Sequence, residues 1–149
     1  RKSVKGSVRM INNIISAISN AIYLEFGDEY EIYTQDVKQG LQEPCFSIFC
    51  INPSIRQFFD KRYKTTNLFN ILYFPQNENV EEEINDVSER LFDCLEYIND
   101  KNDMLRGTNM NAQVIDGVLN FFVNYNFFVK KTVMNDSMEE FDNITKGVK

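Results

Sequence analysis

The sequence predicts a single α+β domain, mainly antiparallel β-sheet packed against two amphipathic helices, with a protruding hairpin arm and a short C-terminal helix. Three observations carry this. Two segments, one near the start and one opening near residue 80, repeat apolar residues at helical spacing. Between and after them lie apolar runs that alternate with period two and are broken by turn residues. The third observation is size: 149 residues with 43% hydrophobic content can bury a core without disulfide or metal staples.

Arg1, Lys2, Lys5 and Arg9 place four positive charges ahead of Met10, so at a net charge of -6 the remainder carries about -10 by subtraction. Met10 leads directly into an amphipathic pattern and reads as a natural start. Residues 1–9 are then an upstream extension or an expression remnant, residues 10–131 the domain, and residues 132–149 a helical tail. Ile11, Ile14, Ile15, Ile18 and Ile22 line one side of the first helix, and Asn12, Asn13, Ser16, Ser19 and Asn20 fill the other. Tyr23 and Phe26 add aromatic weight to its last turn, and Gly27 is placed to stop it in a left-handed conformation. A short strand is expected over residues 30–33, followed by a polar loop to Gly40.

Residues 41–75 organise the chain. They hold two strand-like runs, 45–51 and 63–74, joined by a basic connection containing Pro53. In the first run Phe46, Ile48 and Cys50 point one way and Cys45, Ser47, Phe49 and Ile51 the other. Both faces are apolar, which predicts a central strand. The second run begins polar and charged and ends apolar, as a strand does that starts outside the core in a hairpin arm and enters the sheet later. The connection gathers Arg56, Lys61, Arg62 and Lys64, the positive cluster beyond residue 9. Such a cluster either meets an acidic partner surface or passing nucleic acid, or is a loop kept soluble by charge. Phe58 and Phe59 sit inside it, and adjacent phenylalanines in a polar stretch mark a contact within the fold or across a subunit boundary.

After Pro75 a second helix is expected, with Asn79 as cap, Glu82 completing a capping box and Glu81, Glu82 and Glu83 favoured by the helix dipole. Its apolar stripe is Val80, Ile84, Val87, Leu91, Leu95 and Ile98. Residues 104–131 return to strands, and Asp116-Gly117 signals a tight hairpin. Leu119, Phe121, Val123, Tyr125, Phe127 and Val129 form one face beyond it, while Phe122 and Phe128 interrupt a polar face of Asn120, Asn124 and Asn126. That Asn-rich stretch either pairs with another chain's strand edge or is simply solvated. Ser137 to Glu140 has the form of a capping box, and Met138, Phe141, Ile144 and Val148 would lie along one side of the short helix it opens.

The chain has no histidine, which removes the commonest general base and metal ligand and every Ser-His or Cys-His pair. Cys45, Cys50 and Cys94 lack metal spacing and read as reduced core residues, and no Gly-rich phosphate loop appears. No cofactor and no metal are expected, and the chain does not read as an enzyme. A carboxylate-dependent hydrolase using Asp28 with Glu31, or Glu43 with Asp60, is the enzymatic alternative; solvated surface acids are the plainer reading. The acidic balance argues against a general nucleic-acid binder. No run approaches the roughly 18 apolar residues of a membrane span and no stretch has a signal peptide's form, so a soluble intracellular protein is expected.

The order of these elements, and the set Ile22-Tyr23, Phe26-Gly27, Tyr30, Ile32-Tyr33, Gln39-Gly40-Leu41, Glu43-Pro44-Cys45-Phe46, Arg62-Tyr63, Tyr73-Phe74-Pro75, Arg106-Gly107 and Asp116-Gly117-Val118-Leu119, resembles the tail terminator proteins of long-tailed bacteriophages. Within them the chain is similar to the tail-terminator-like family of phages and phage-tail-like particles of low-GC Gram-positive bacteria. The likeness runs from about Met10 to Lys131; no single motif is diagnostic, and the ordered set carries it. It implies a virion structural protein made in the bacterial cytoplasm: a ring, commonly a hexamer, that closes the head-proximal end of the tail tube and joins the neck. Its implied partners are itself, the tail tube protein, neck or connector proteins and, in contractile tails, the sheath. DNA would pass through the ring without sequence-specific contact. The expected interfaces are Arg56, Phe58, Phe59, Lys61, Arg62 and Lys64 in the arm, and Met138, Phe141 and Ile144 on the C-terminal helix. Another virion structural protein, a head-to-tail connector or tube subunit, is the neighbouring alternative, and a regulatory binding module a more distant one.

Overall fold

The computed structural model describes residues 5–35, 40–77, 79–101 and 103–130. Helix α1 (Lys5–Phe26) crosses the boundary expected at residue 10 and begins upstream of it. Ile14, Ala17, Ile18, Ile22 and Phe26 are buried at spacings of three and four, with Ile11 and Ile15 packed beside them. Gly27 ends the helix at φ 89°, its N–H donating to the Tyr23 carbonyl at 2.9 Å. Only a residue without a Cβ takes that conformation at no steric cost.

The strands follow as β1 (Glu31–Tyr33), β2 (Cys45–Cys50), β3 (Ser54–Phe59), β4 (Arg62–Thr66) and β5 (Leu68–Phe74), then helix α2 (Val80–Cys94), then β6 (Tyr97–Asp100), β7 (Asp103–Ile115), β8 (Val118–Tyr125) and β9 (Phe127–Lys130). They form a six-stranded sheet in the order β1-β2-β5-β8-β7-β6 and a three-stranded sheet in the order β3-β4-β9. β1 pairs with β2 in parallel, and the other pairings are antiparallel. One face of the large sheet packs Phe46, Ile48, Phe69, Ile71, Tyr73, Leu119, Phe121, Val123 and Tyr125 into a core with α1 and with Ile84, Val87 and Leu91 of α2. This is a single α+β domain with its helices on one side of the sheet.

β2 lies between β1 and β5, as its two apolar faces predict. All three cysteines are free thiols, Cys45 buried and Cys50 and Cys94 half-buried. Burial first, then Glu43 and Glu31, pushes Cys45 up to about 11, and burial pushes Cys94 up to about 12. Thiols held this firmly in the protonated form are poor nucleophiles.

Four expectations are corrected. The connection over residues 54–59 is a strand, β3, because Ser54, Arg56 and their neighbours pair along β4. The stripe assigned to one helix is split: α2 stops at Cys94, Leu95 closes it, and Ile98 is a buried residue of β6. Spacings of three and four continued across the turn and hid a strand. The capping box does not form; Asn79 makes no side-chain cap, and its Nδ2 instead donates to Glu82 Oε1 at 2.8 Å. The Asn-rich stretch has no edge to offer over residues 119–124, since β8 is paired on both sides, by β5 and by β7.

Glu83 takes the anchoring role expected of Glu82. Its Oε2 accepts from the Tyr73 hydroxyl and the Gln76 N–H, and its Oε1 accepts from the Asn77 N–H at 3.0 Å. One carboxylate thus ties α2 to the end of β5 and to the turn between them. Burial opposes its charge, but the hydrogen bonds from Tyr73, Gln76 and Asn77 outweigh it and hold Glu83 below the ordinary carboxylate value. A folded pKa below the unfolded one contributes stability above the unfolded value, near pH 4.3, and that contribution is lost as pH falls through the folded one. Glu83→Ala is expected to cost about 2 kcal/mol at neutral pH. Denaturant titrations of both proteins should show the gap closing as pH falls below about 4.

Candidate functional site

The arm is built by two long strands that leave the core sheet together. β5 is preceded by β4 across Asn67, and β8 is followed by β9 across Asn126, so both strands break at an asparagine and continue into the second sheet. Asn67 is 2% exposed and holds the corner. Its carbonyl accepts from the Tyr125 N–H at 3.0 Å, and its Nδ2 donates to the Tyr125 carbonyl and to Thr65 Oγ1, each at 3.3 Å. Thr65 Oγ1 in turn donates to the Phe127 carbonyl at 3.2 Å. Buried polar groups satisfied in this way fix a geometry that apolar packing alone would leave loose.

From that corner β3 and β4 project as a hairpin turned by Asp60, at φ 52°, and Lys61; Gln57 Nε2 donates to the Asp60 carbonyl at 2.6 Å. The register sets Arg56 opposite Lys64 and, after a shift between Gln57 and Phe59, sets Phe59 opposite Arg62. A bulge re-aims the side chains beyond it. Arg56, Phe59, Arg62 and Lys64 therefore share one face of the arm. Phe59 is 72% exposed. Arg62 is also paired in register with Lys130 of β9.

The structure thus brings Arg56, Phe59, Arg62 and Lys64 together, with Lys61 in the turn beside them. Phe58 occupies the shifted position of β3. Met138, Phe141 and Ile144 lie outside the described residues. Of the carboxylates weighed for hydrolysis, Asp60 turns the arm while Glu43 precedes β2, Glu31 is on β1 and Asp28 follows α1. Among the described residues no group of three or more His, Cys, Asp or Glu side chains is gathered as a metal ion requires. Nor is any helix among them long and apolar enough to cross a membrane.

The opposite side of the arm's base holds a cleft of about 270 Å³, lined by Ile11, Pro53, Ser54, Ile55, Thr65, Asn67 and Phe127. Its lining is mostly apolar. Sequence reasoning missed it because Phe127 was placed in one continuous face with Tyr125. The break at Asn126 takes Phe127 out of the core sheet and turns it toward Ile55 and Ile11. The signal was present: polar Asn67 and Asn126 interrupt two otherwise alternating runs.

A family model described as phage tail terminator protein matches residues 13–137, a span that takes in the core sheet, most of α1, all of α2 and the whole arm. The chain belongs to that family. Among curated proteins none matches it. As a phage tail terminator family member the protein is a structural component of a virion, and its family is one of structural proteins rather than enzymes. The match begins inside α1 and reaches Ser137, so the C-terminal helix expected over residues 137–149 falls almost wholly beyond it.

Proposed function

We propose that the protein forms a ring, a hexamer in the simplest case, that caps the head-proximal end of the tail tube, ends its elongation and presents the surface to which the neck joins. In a contractile tail the same ring would touch the last turn of sheath. The observation that carries this reading is the arm. An acidic chain gathers four of its sixteen lysines and arginines and an exposed phenylalanine on a projecting hairpin anchored by buried hydrogen bonds at the Asn67 corner. A rigid domain with one projecting basic element and an acidic remainder suits head-to-tail contact between identical subunits, which closes into a ring. The tube rim and the neck then meet the ring's two faces.

Deleting the gene from the phage should yield tails of unregulated length that carry no heads, and supplying the protein should restore both. Normal virions from the deletion would overturn the terminator reading. Within the protein, Arg62→Glu with Lys64→Glu is expected to weaken ring or tube association by about tenfold or more without unfolding the domain. Sedimentation read alongside a melting curve checks both. Removing residues 137–149, with Met138, Phe141 and Ile144, should also weaken a neighbour contact, measured as loss of the ring at micromolar protein; a fully assembling truncation would remove that segment from the account.

A further inference from the structure

We infer that the ring closes by insertion of the arm-tip Phe59 of one subunit into the cleft at the base of the next subunit's arm. The inference rests on the ring reading above and names the contact that makes it. Phe59 is a large apolar side chain, 72% exposed, carried at the end of β3 on a face otherwise occupied by Arg56, Arg62 and Lys64. The register shift before it is what puts it on that face rather than leaving it on the side of Ile55. The cleft offers the complementary shape. Ile11, Pro53, Ile55, Thr65 and Phe127 line an open cleft of about 270 Å³ between α1 and the second sheet, and Ile55 is left 39% exposed at its wall. A dry cavity of about 150 Å³ is known to admit benzene, so a phenyl ring fits here without rearrangement.

Knob and hole belong to the same hairpin but to opposite ends of it. Phe59 stands five residues beyond Ser54 at the cleft's rim, about 17 Å at strand rise, and a rigid strand cannot fold back to join them within one chain. A second copy of the chain can. Because the two patches differ, the contact is heterologous, and repeated contacts of that kind close into a ring when the rotation permits. Charge favours the same occupant. The arm's cations meet a second copy whose net charge is -6 overall and more negative outside the arm, while the cleft's own lining is uncharged, so long-range attraction favours self-association. Aromatic side chains seated in desolvated pockets dominate such contacts.

The test replaces Phe59 with photoreactive benzoylphenylalanine. Isotopically light and heavy chains are mixed and irradiated with tail tubes present, and the crosslinked peptides are mapped. Light-to-heavy crosslinks from position 59 to the segments around Ile55, Thr65, Phe127 or Ile11 are the expected result. Two variants accompany it: Phe59→Ser, which empties the knob, and Ser54→Trp, which fills the cleft from its rim. Both should weaken self-association by about tenfold or more, and Phe59→Leu should retain most of it. Phe59 and Ser54 are exposed, so the melting temperatures should hold. A ring that persists in Phe59→Ser, with crosslinks to some other surface, overturns the insertion and leaves the ring reading intact. Protein that stays monomeric with and without tubes overturns both.

Discussion

Gly107→Ala should destabilise the protein by about 3 kcal/mol, the upper end of what overpacking costs, and lower its melting temperature by roughly 10 °C. Gly107 is buried on β7, and a Cβ there would stand 2.7 Å from the Leu95 carbonyl oxygen and 2.8 Å from Val123 Cγ2. The first of these is backbone and cannot swing away. It is also held in place twice over, since the Tyr125 hydroxyl donates to the Leu95 carbonyl and the Gly107 N–H donates to the Glu96 carbonyl at 2.7 Å. Relief of the clash has to move the turn between α2 and β6, and with it the buried phenol. A buried carbonyl that loses its donor costs a further 1 to 3 kcal/mol or so. Calorimetry of the alanine variant checks the figure, and a shift under about 2 °C would show that the turn yields more easily than its hydrogen bonds imply.

Phe46→Ala is expected to be as damaging, at about 4 kcal/mol. Phe46 is fully buried at the centre of three other rings: 4.9 Å from Phe26 on α1, 5.7 Å from Tyr30, and 4.9 Å from Tyr73 on β5, centroid to centroid. Removing it leaves a cavity whose walls are three aromatic side chains with little freedom to collapse. The same cluster joins α1 to the sheet through the Phe26–Phe46 contact, and α1 to α2 through Arg90, which lies over the Phe26 ring at 4.2 Å and whose guanidinium donates to the Glu25 carbonyl at 2.9 Å. Loss of Phe46 should therefore loosen the packing of α1 as well as lower stability. Hydrogen exchange would report this as faster exchange in α1 than in β8. Phe46→Leu, which refills most of the volume, should recover more than half the loss.

The fold was legible where one period governs one element. The isoleucines of α1, the alternation of β8 and the Asp116-Gly117 turn, where Asp116 takes φ 53° and Gly117 φ 78°, each name their element without help. It was hidden where two periods coincide. Leu95 and Ile98 extend the α2 spacing, yet Ile98 faces the core from a strand, and only the pairing of Tyr97 with Arg106 reveals it. A capping rule selects Glu82, three residues after Asn79, but the tertiary position of Tyr73 gives the anchoring role to Glu83. The arm was legible as a change from polar to apolar along residues 63–74, and the cations of the connection lie on β3, on β4 and in the turn between them. What no local pattern contains is the bulge that places Phe59 beside Arg62, or the corner at Asn67 that sends Phe127 to the cleft. The corner depends on residues about 60 positions apart meeting across the sheet, and the bulge on the register in which β3 meets β4.

The central claim is that this tail terminator family member assembles through its arm into a ring that seats on a tube end. The most direct measurement is the mass and shape of the purified protein, by light scattering and negative-stain imaging, with and without isolated tail tubes. The account predicts a closed ring, free in solution or formed at one end of each tube. A monomer at all concentrations that leaves both tube ends bare would contradict it.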